Sequence, residues 1–328
     1  MFVSKLNIIE FRGIKRCEKP INLSKFTVLI GRNNVGKSTI LEALYLFPDP
    51  TSNDGILDGS RLTIIKGILH SGEHLAYGYS GTVKLEYTVD NTFFCITIDD
   101  SLRIKRYAND KDVTNLSLSD LKDLLKIRAK DEYSATILIP NRPSLIKDFD
   151  KVIRDRPIKN RIMKQGSHVK IAKVISKCVD DKFTDIYLDD MKIRKELPDG
   201  NFFYIHIDDL GDGIKKAVRV MLLVEALKPD VILWDDFEVF AHPSLIESLL
   251  KWLAEGDWQV VLTTHSIDVL YELLNVKETV KSDEIAVLQL AKTKDDILTF
   301  ERLTIDDLED LLLANQDPRR LTDLLTLR

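Results

Sequence analysis

Three consecutive pieces constrain this chain more than anything else in it. Phe26-Thr-Val-Leu-Ile30 is followed by Gly31-Arg-Asn-Asn-Val-Gly-Lys-Ser-Thr39 and then by Ile40-Leu-Glu-Ala-Leu-Tyr-Leu46. The first piece reads as a buried strand and the last as the opening turns of a helix. Between them the glycines, lysine and serine have the spacing G-x-x-x-x-G-K-S. A strand that turns through glycines into a helix aims successive backbone N–H groups into one concavity, and the helix start adds partial positive charge. That combination is a phosphate-binding P-loop. It assigns Gly31, Asn33, Asn34, Val35, Gly36, Lys37, Ser38 and Thr39 to a nucleotide's phosphates. Lys37 reaches the β- and γ-phosphates, and the Ser38 hydroxyl is a ligand for Mg²⁺.

Hydrolysis needs more than a cradle: a metal-side carboxylate and a group that orients water. Val231-Ile-Leu-Trp-Asp235-Asp236 has the Walker B form, four apolar residues and then acid. Asp235 is placed on the metal and Asp236 on the attacking water, at the carboxyl end of a parallel strand. A further strand, Gln259–Thr263, ends in Thr264-His265-Ser266, where an imidazole can meet the γ-phosphate. Lys37, Asp236 and His265 form the expected catalytic set, with ATP and Mg²⁺ as cofactors. Leu210, Gly211, Asp212 and Gly213 open a helix running to Leu227, which makes a second anion-binding helix start. It lies far from the P-loop along the chain. Its expected role is to cap the nucleotide of a second copy, giving a head-to-tail homodimer around ATP.

The rest of the chain is read around these motifs. Residues 2–10 alternate as a strand, and the turn Phe11–Ile14 presents an exposed Arg12, placed with the nucleotide-binding residues. Residues 82–90 and 93–98 alternate on either side of Asp90-Asn91 and predict a hairpin, continued by 101–108. Residues 1–111 are therefore expected to form an N-terminal lobe with an antiparallel β part. Residues 112–200 are expected to be a mainly helical insertion, and 201–328 a C-terminal lobe in which strands alternate with helices over a parallel sheet. Between Lys147 and Lys177 stand ten Lys/Arg against three acids, in a chain whose net charge is −5. This basic window is either a solvated helix face or a phosphate contact, and Lys159, Arg161, Lys164 and Lys170 are the candidate DNA contacts. His70-Ser-Gly-Glu-His74 has the H-x-x-E-H form of a zinc peptidase. Ser71-Gly72 breaks the helix such a site requires, which favours two surface histidines near a turn. Cys17, Cys95 and Cys178 are scattered and odd in number, and the N-terminus lacks a signal-peptide layout, so a cytoplasmic protein with no membrane span is expected.

Together these motifs resemble the ABC-type ATPase heads of the RecF, SMC and OLD group, also described as AAA domains. The resemblance rests on Leu6-Asn-Ile-Ile-Glu-Phe-Arg-Gly13, the P-loop, Leu210-Gly-Asp-Gly-Ile-Lys215, Asp235-Asp-Phe-Glu238 with His242-Pro243, and Thr263-Thr-His-Ser266. It implies a P-loop NTPase of ABC-ATPase type, α/β, with a mixed sheet, an N-terminal antiparallel β subdomain and a helical insertion. It also implies ATP-driven dimerisation coupled to DNA repair, chromosome maintenance or phage defence, with DNA, a separate nuclease or another effector protein as partner. Two other readings stay open: a regulatory or assembly module acting only on protein partners, and a transporter ATPase. Three departures stand out. Gly211 replaces a serine, Asp236 replaces a glutamate, and no glutamine lies between the P-loop and Gln165 to serve the loop behind the metal. The shorter carboxylate at Asp236 predicts slow turnover. Only about sixty residues follow His265, too few for a typical further domain, so no built-in Toprim nuclease is expected.

Overall fold

The computed structural model describes residues 2–69, 74–128, 135–279 and 281–321. In chain order the N-terminal half forms β1 (Val3–Phe11), β2 (Ile14–Cys17), β3 (Ile21–Asn22), β4 (Phe26–Gly31), α1 (Lys37–Tyr45), the single turn α2 (Arg61–Thr63), β5 (Val83–Val89), β6 (Thr92–Ile98), β7 (Ile104–Ala108) and β8 (Lys111–Asp112). There follow α3 (Leu118–Leu124), β9 (Thr136–Ile139), α4 (Pro143–Arg154), α5 (Arg156–Gln165), α6 (Ser167–Ser176), β10 (Lys182–Tyr187), β11 (Lys192–Glu196) and β12 (Phe202–His206). The last third supplies α7 (Asp212–Leu227), β13 (Val231–Trp234), α8 (Pro243–Glu255), β14 (Gln259–Thr263), α9 (Ile267–Leu274), β15 (Ile285–Lys292), β16 (Ile297–Leu303) and α10 (Ile305–Leu313).

One large mixed sheet runs β8-β7-β6-β5-β1-β2-β16-β15-β4-β14-β13-β9, with β3 paired to β1. Its two ends differ in character for a physical reason. The meander β5–β8 is antiparallel, and β5 buries alternate residues, as a half-covered strand must. Strands β15, β4, β14, β13 and β9 are mutually parallel, and β4, β13, β14 and β9 are buried on both faces. Continuous apolar runs such as Val231–Trp234 suit that environment, because helices cover both sides. The first turns of α1 sit over the ends of these strands, and α1 packs on β4, β9, β13 and β14.

The segment 112–200 is less of a helical appendage than its composition predicts. Four helices are present, the last three separated only by Asp155 and Gly166, but so are strands. Thr136–Ile139 is a strand of the central sheet, in parallel register with Val231–Trp234. Strands β10 and β11 join β12 in a second, three-stranded antiparallel sheet. Helices α4, α5 and α6 pack directly on α7. Arg219 of α7 clamps the joint: its guanidinium donates to both Asp150 oxygens at 2.7 and 3.0 Å and to Asp208 at 2.6 Å. Of the candidate DNA contacts, Lys159 is ion-paired to Asp189, and Arg161 donates to the Ala226 carbonyl at 2.9 Å, while Lys164 and Lys170 are exposed. Most of the His70–His74 pattern lies outside the described residues; His74 is exposed. Among the described residues no helix is long and apolar enough to cross a membrane.

Candidate nucleotide site

Parallel pairing brings four strand ends side by side: β4 into the P-loop, β14 into Thr264-His265, β13 into Asp235-Asp236, and β9 into Pro140-Asn141. The loop after β4 makes its turn at Gly36, whose φ of 112° suits glycine and where a Cβ would lie 2.9 Å from Ile14. Helix α1 starts there, with Lys37 at its first position. The Lys37 ammonium is held by the loop's own carbonyls, Gly31 O at 3.0 Å and Arg32 O at 3.1 Å. Burial lowers its pKa, and the charges of Asp236, Asp235 and Glu238 pull it back. A phosphate entering the loop would take over the role of those carbonyls.

The two acids diverge. Asp235 accepts from the Ser38 hydroxyl at 3.1 and 3.2 Å and from the Thr263 hydroxyl at 2.8 Å. Burial raises the Asp235 carboxyl's pKa, and the bonds from Thr263 and Ser38 oppose that shift. Asp236 takes a left-handed backbone, φ 44°, so its side chain leaves in another direction. Its carboxylate accepts from Asn141 Nδ2 at 2.5 Å, and its N–H donates to the Thr263 hydroxyl at 2.8 Å. Ser38 and Asp235 already converge, so a hydroxyl and a carboxylate are in place for one hard cation. Such a donor pair suits Mg²⁺ supplemented by phosphate oxygens and water.

Beyond them, Glu238 accepts from the Thr264 hydroxyl and the His265 N–H, both at 2.7 Å. Arg319 donates to the His265 carbonyl at 2.5 Å. The loop bearing His265 is thereby fixed while its imidazole stays exposed. Arg12, Asn33, Asn34, Gly36, Lys37, Ser38, Thr39, Asp236 and His265 line one cavity of about 390 Å³. Ser38, Asp235, Asp236 and Asn141 line a second, of about 340 Å³, that shares their side chains.

The sequence-predicted residues thus come together, with two adjustments. Arg12 is not the exposed arginine expected: its guanidinium bonds Glu42 and the carbonyls of Ile65 and His74, each at 3.0 Å. Packing therefore uses all of its nitrogens at the cavity's edge. Leu210, Gly211, Asp212 and Gly213 do not line either of these cavities. Gly211 and Asp212 are exposed at the start of α7, and a Cβ on Gly211 would meet nothing within 4 Å, so the glycine there is not a steric requirement. Gly213 is one, because a Cβ would sit 2.2 Å from the Phe240 carbonyl oxygen. Asn141 and Thr263 were not predicted as site residues. Thr263 follows from the strand ending before His265, but Asn141 is signalled by nothing local.

Comparison with known proteins bears on the family and the fold. Residues 26–271 match the family described as AAA domain, putative AbiEii toxin, Type IV TA system. The DNA replication and repair protein RecF of Trichlorobacter lovleyi is 36% identical over 107 residues, 30% of this chain and 27% of that protein. An uncharacterized protein of Methanocaldococcus jannaschii is 39% identical over 69 residues, 20% of this chain and 60% of that protein. The chain therefore spans less than two thirds of either relative. Among solved structures, an SMC head bound to the C-winged helix domain of ScpA superposes with a TM-score of 0.64 at 14% identity, covering 94% of this chain and all of that one. The SMC head of Pyrococcus furiosus, bound to the C-terminal domain of ScpA, gives 0.59 at 11% identity, covering 96% and 99%. At such identity these likenesses establish the fold.

Proposed function

We propose, from the premise that this chain belongs to the AAA-domain family described as putative AbiEii toxin and carries the fold of an SMC head, that it binds and hydrolyses ATP and switches between monomer and head-to-tail dimer as it does so. The observation that carries this reading is the meeting of Lys37, Ser38, Asp235, Asp236 and His265 at adjacent ends of parallel strands. Lys37 and the loop amides neutralise the phosphates. Asp236 holds the attacking water by accepting its hydrogen bond, and Asn141 orients that carboxylate from the far side. His265 donates to the γ-phosphate from the loop that Glu238 and Arg319 fix. Ser38 and Asp235 would hold Mg²⁺, which would supply charge neutralisation at the phosphates. Leu210–Gly213 line neither cavity of this site, and Gly211 and Asp212 are exposed, which supports their use on the nucleotide of a second copy.

The switch acts in nucleic-acid transactions such as repair, chromosome maintenance or antiviral defence; the similarity to RecF supports this. The alternative is an ATP-dependent regulator that touches only protein, and the engagement of Lys159 and Arg161 within the chain favours it over the predicted basic patch. One experiment separates the two. The full chain with ATP and Mg²⁺ is titrated onto DNA across a salt series, with Lys37→Ala as the control for nucleotide binding. The nucleic-acid reading expects ATP-dependent binding that falls steeply with salt and weakens in Lys164→Ala/Lys170→Ala. No binding at low salt, with hydrolysis intact, leaves the protein-directed reading.

A further inference from the structure

A third cavity, of about 400 Å³, lies between the first turns of α4, the first turns of α7 and Phe240. Asn141 borders it as well as the cavity at the acids, so the two are neighbours through one side chain. Its volume falls in the range of small-molecule sites, roughly 300–1,000 Å³, and well exceeds what a lone phosphate fills. Four cations line it, and three are already paired inside the protein. Lys147 bonds Asp208 at 2.8 Å, Lys215 bonds Asp212 at 3.0 Å, and Arg219 is clamped by Asp150 and Asp208.

Lys216 is different. Its side chain is 7% exposed, and its ammonium makes no hydrogen bond among the described residues. The nearest compensation on its own side is the Trp234 ring, 5.4 Å from the nitrogen, with the acids Asp235, Asp236 and Glu238 acting on it through space. Three N–H donors are therefore buried beside a cavity without an acceptor, a costly arrangement that a bound acceptor would relieve. The rest of the wall is Ile146 and Phe240, with Asn141, Ser144 and the carboxylates Asp208 and Asp212 that the other cations already hold.

We propose that this cavity is a ligand site, separate from the nucleotide site, for a small molecule that carries one phosphate or carboxylate group on a compact apolar body, with the anion on Lys216 and the body against Ile146 and Phe240. Lys216 sits on the helix whose exposed start is offered to a second copy, and Asn141 bonds Asp236. A ligand here is thus placed between the two halves of the nucleotide machinery, as an effector would be. The site itself goes beyond the ATPase reading and does not depend on it.

The test is calorimetric titration of the full chain with phenylphosphonate, an anionic head on an aromatic ring, after saturation with Mg²⁺ and a non-hydrolysable ATP analogue so that the P-loop is filled. Absence of heat from the analogue would count against the nucleotide reading, and the phenylphosphonate titration would then be run without it. The expected result is saturable binding of one equivalent to the wild type, weakened at least tenfold by Lys216→Met and partly kept by Lys216→Arg. Ser144→Trp, which fills the cavity from an exposed position, serves as a second variant should Lys216→Met fail to fold, and it too should abolish binding. Absence of saturable binding to the wild type, or equal affinity in the folded variants, overturns the proposal.

Discussion

Asp236 and Asn141 form a pair in which each side chain is short, joined by a 2.5 Å bond just past the end of β9. The resemblance implies a glutamate at the position of Asp236. Restoring the missing methylene with Asp236→Glu is expected to raise kcat, by about 3- to 10-fold if water positioning is limiting. A steady-state phosphate assay that finds the wild type faster than the variant contradicts the expectation that the shorter carboxylate slows turnover. Lys216 yields a stability prediction. Burial depresses its pKa from the ordinary 10.5 to about 8, partly offset by Asp235, Asp236 and Glu238. Between those values the unfolded chain holds more protons than the folded one, so stability rises with pH across that window, and below about pH 8 the full penalty applies. The shift corresponds to a penalty on the order of 3 kcal/mol. Lys216→Met should therefore stabilise the nucleotide-free protein at pH 7 by about 2–3 kcal/mol, and by much less above pH 10. Urea midpoints at the two pH values measure this, and a gain that is absent at pH 7 or independent of pH contradicts it.

Among the elements, α7 holds the account together. Its start carries the exposed Gly211 and Asp212, its first turns carry Lys216, and Arg219 in its third turn binds α4 through Asp150. Lys147 and then Arg219 hold Asp208 down to a pKa of about 2. Arg219→Met would leave Asp150 facing an apolar chain in a buried joint and is expected to cost about 3–5 kcal/mol, measured by chemical unfolding. A loss under about 1 kcal/mol would show that the clamp is not what joins α4 to α7. The elements also show what could be read from sequence. Val231–Trp234 and Gln259–Thr263 were legible because strands buried on both faces are short apolar runs that end in polar residues. The hairpin of Val83–Val89 with Thr92–Ile98 was legible from strict alternation around Asp90-Asn91. Thr136–Ile139 was recognisable as a buried strand but not as part of the central sheet, because its partner lies almost a hundred residues onward. The role of Asn141 disappeared with it, since that side chain reaches Asp236 only through this long-range pairing. Lys182–Glu196 was hidden by its charges: strands β10 and β11 carry ion pairs such as Lys182–Glu196 in place of a clear apolar alternation. Arg12 looked exposed because the groups that bind it come from distant loops and from α1.

For the whole molecule, the central claim is that the P-loop of one copy and the start of α7 of another share each nucleotide. In a single chain Leu210–Gly213 line neither of the cavities around Lys37 and Asp235, and on the proposed reading a second copy supplies them. Asp236→Asn keeps the shape of the side chain and its place beside Asn141 while removing the charge proposed to orient water. ATP should then bind and stay. The most direct measurement is the mass of Asp236→Asn by light scattering on a sizing column, with ATP and Mg²⁺ and again without them. A dimer that forms only with nucleotide, and is lost in Asp236→Asn/Lys37→Ala, is the predicted result; a variant that binds ATP and remains a monomer contradicts the shared site.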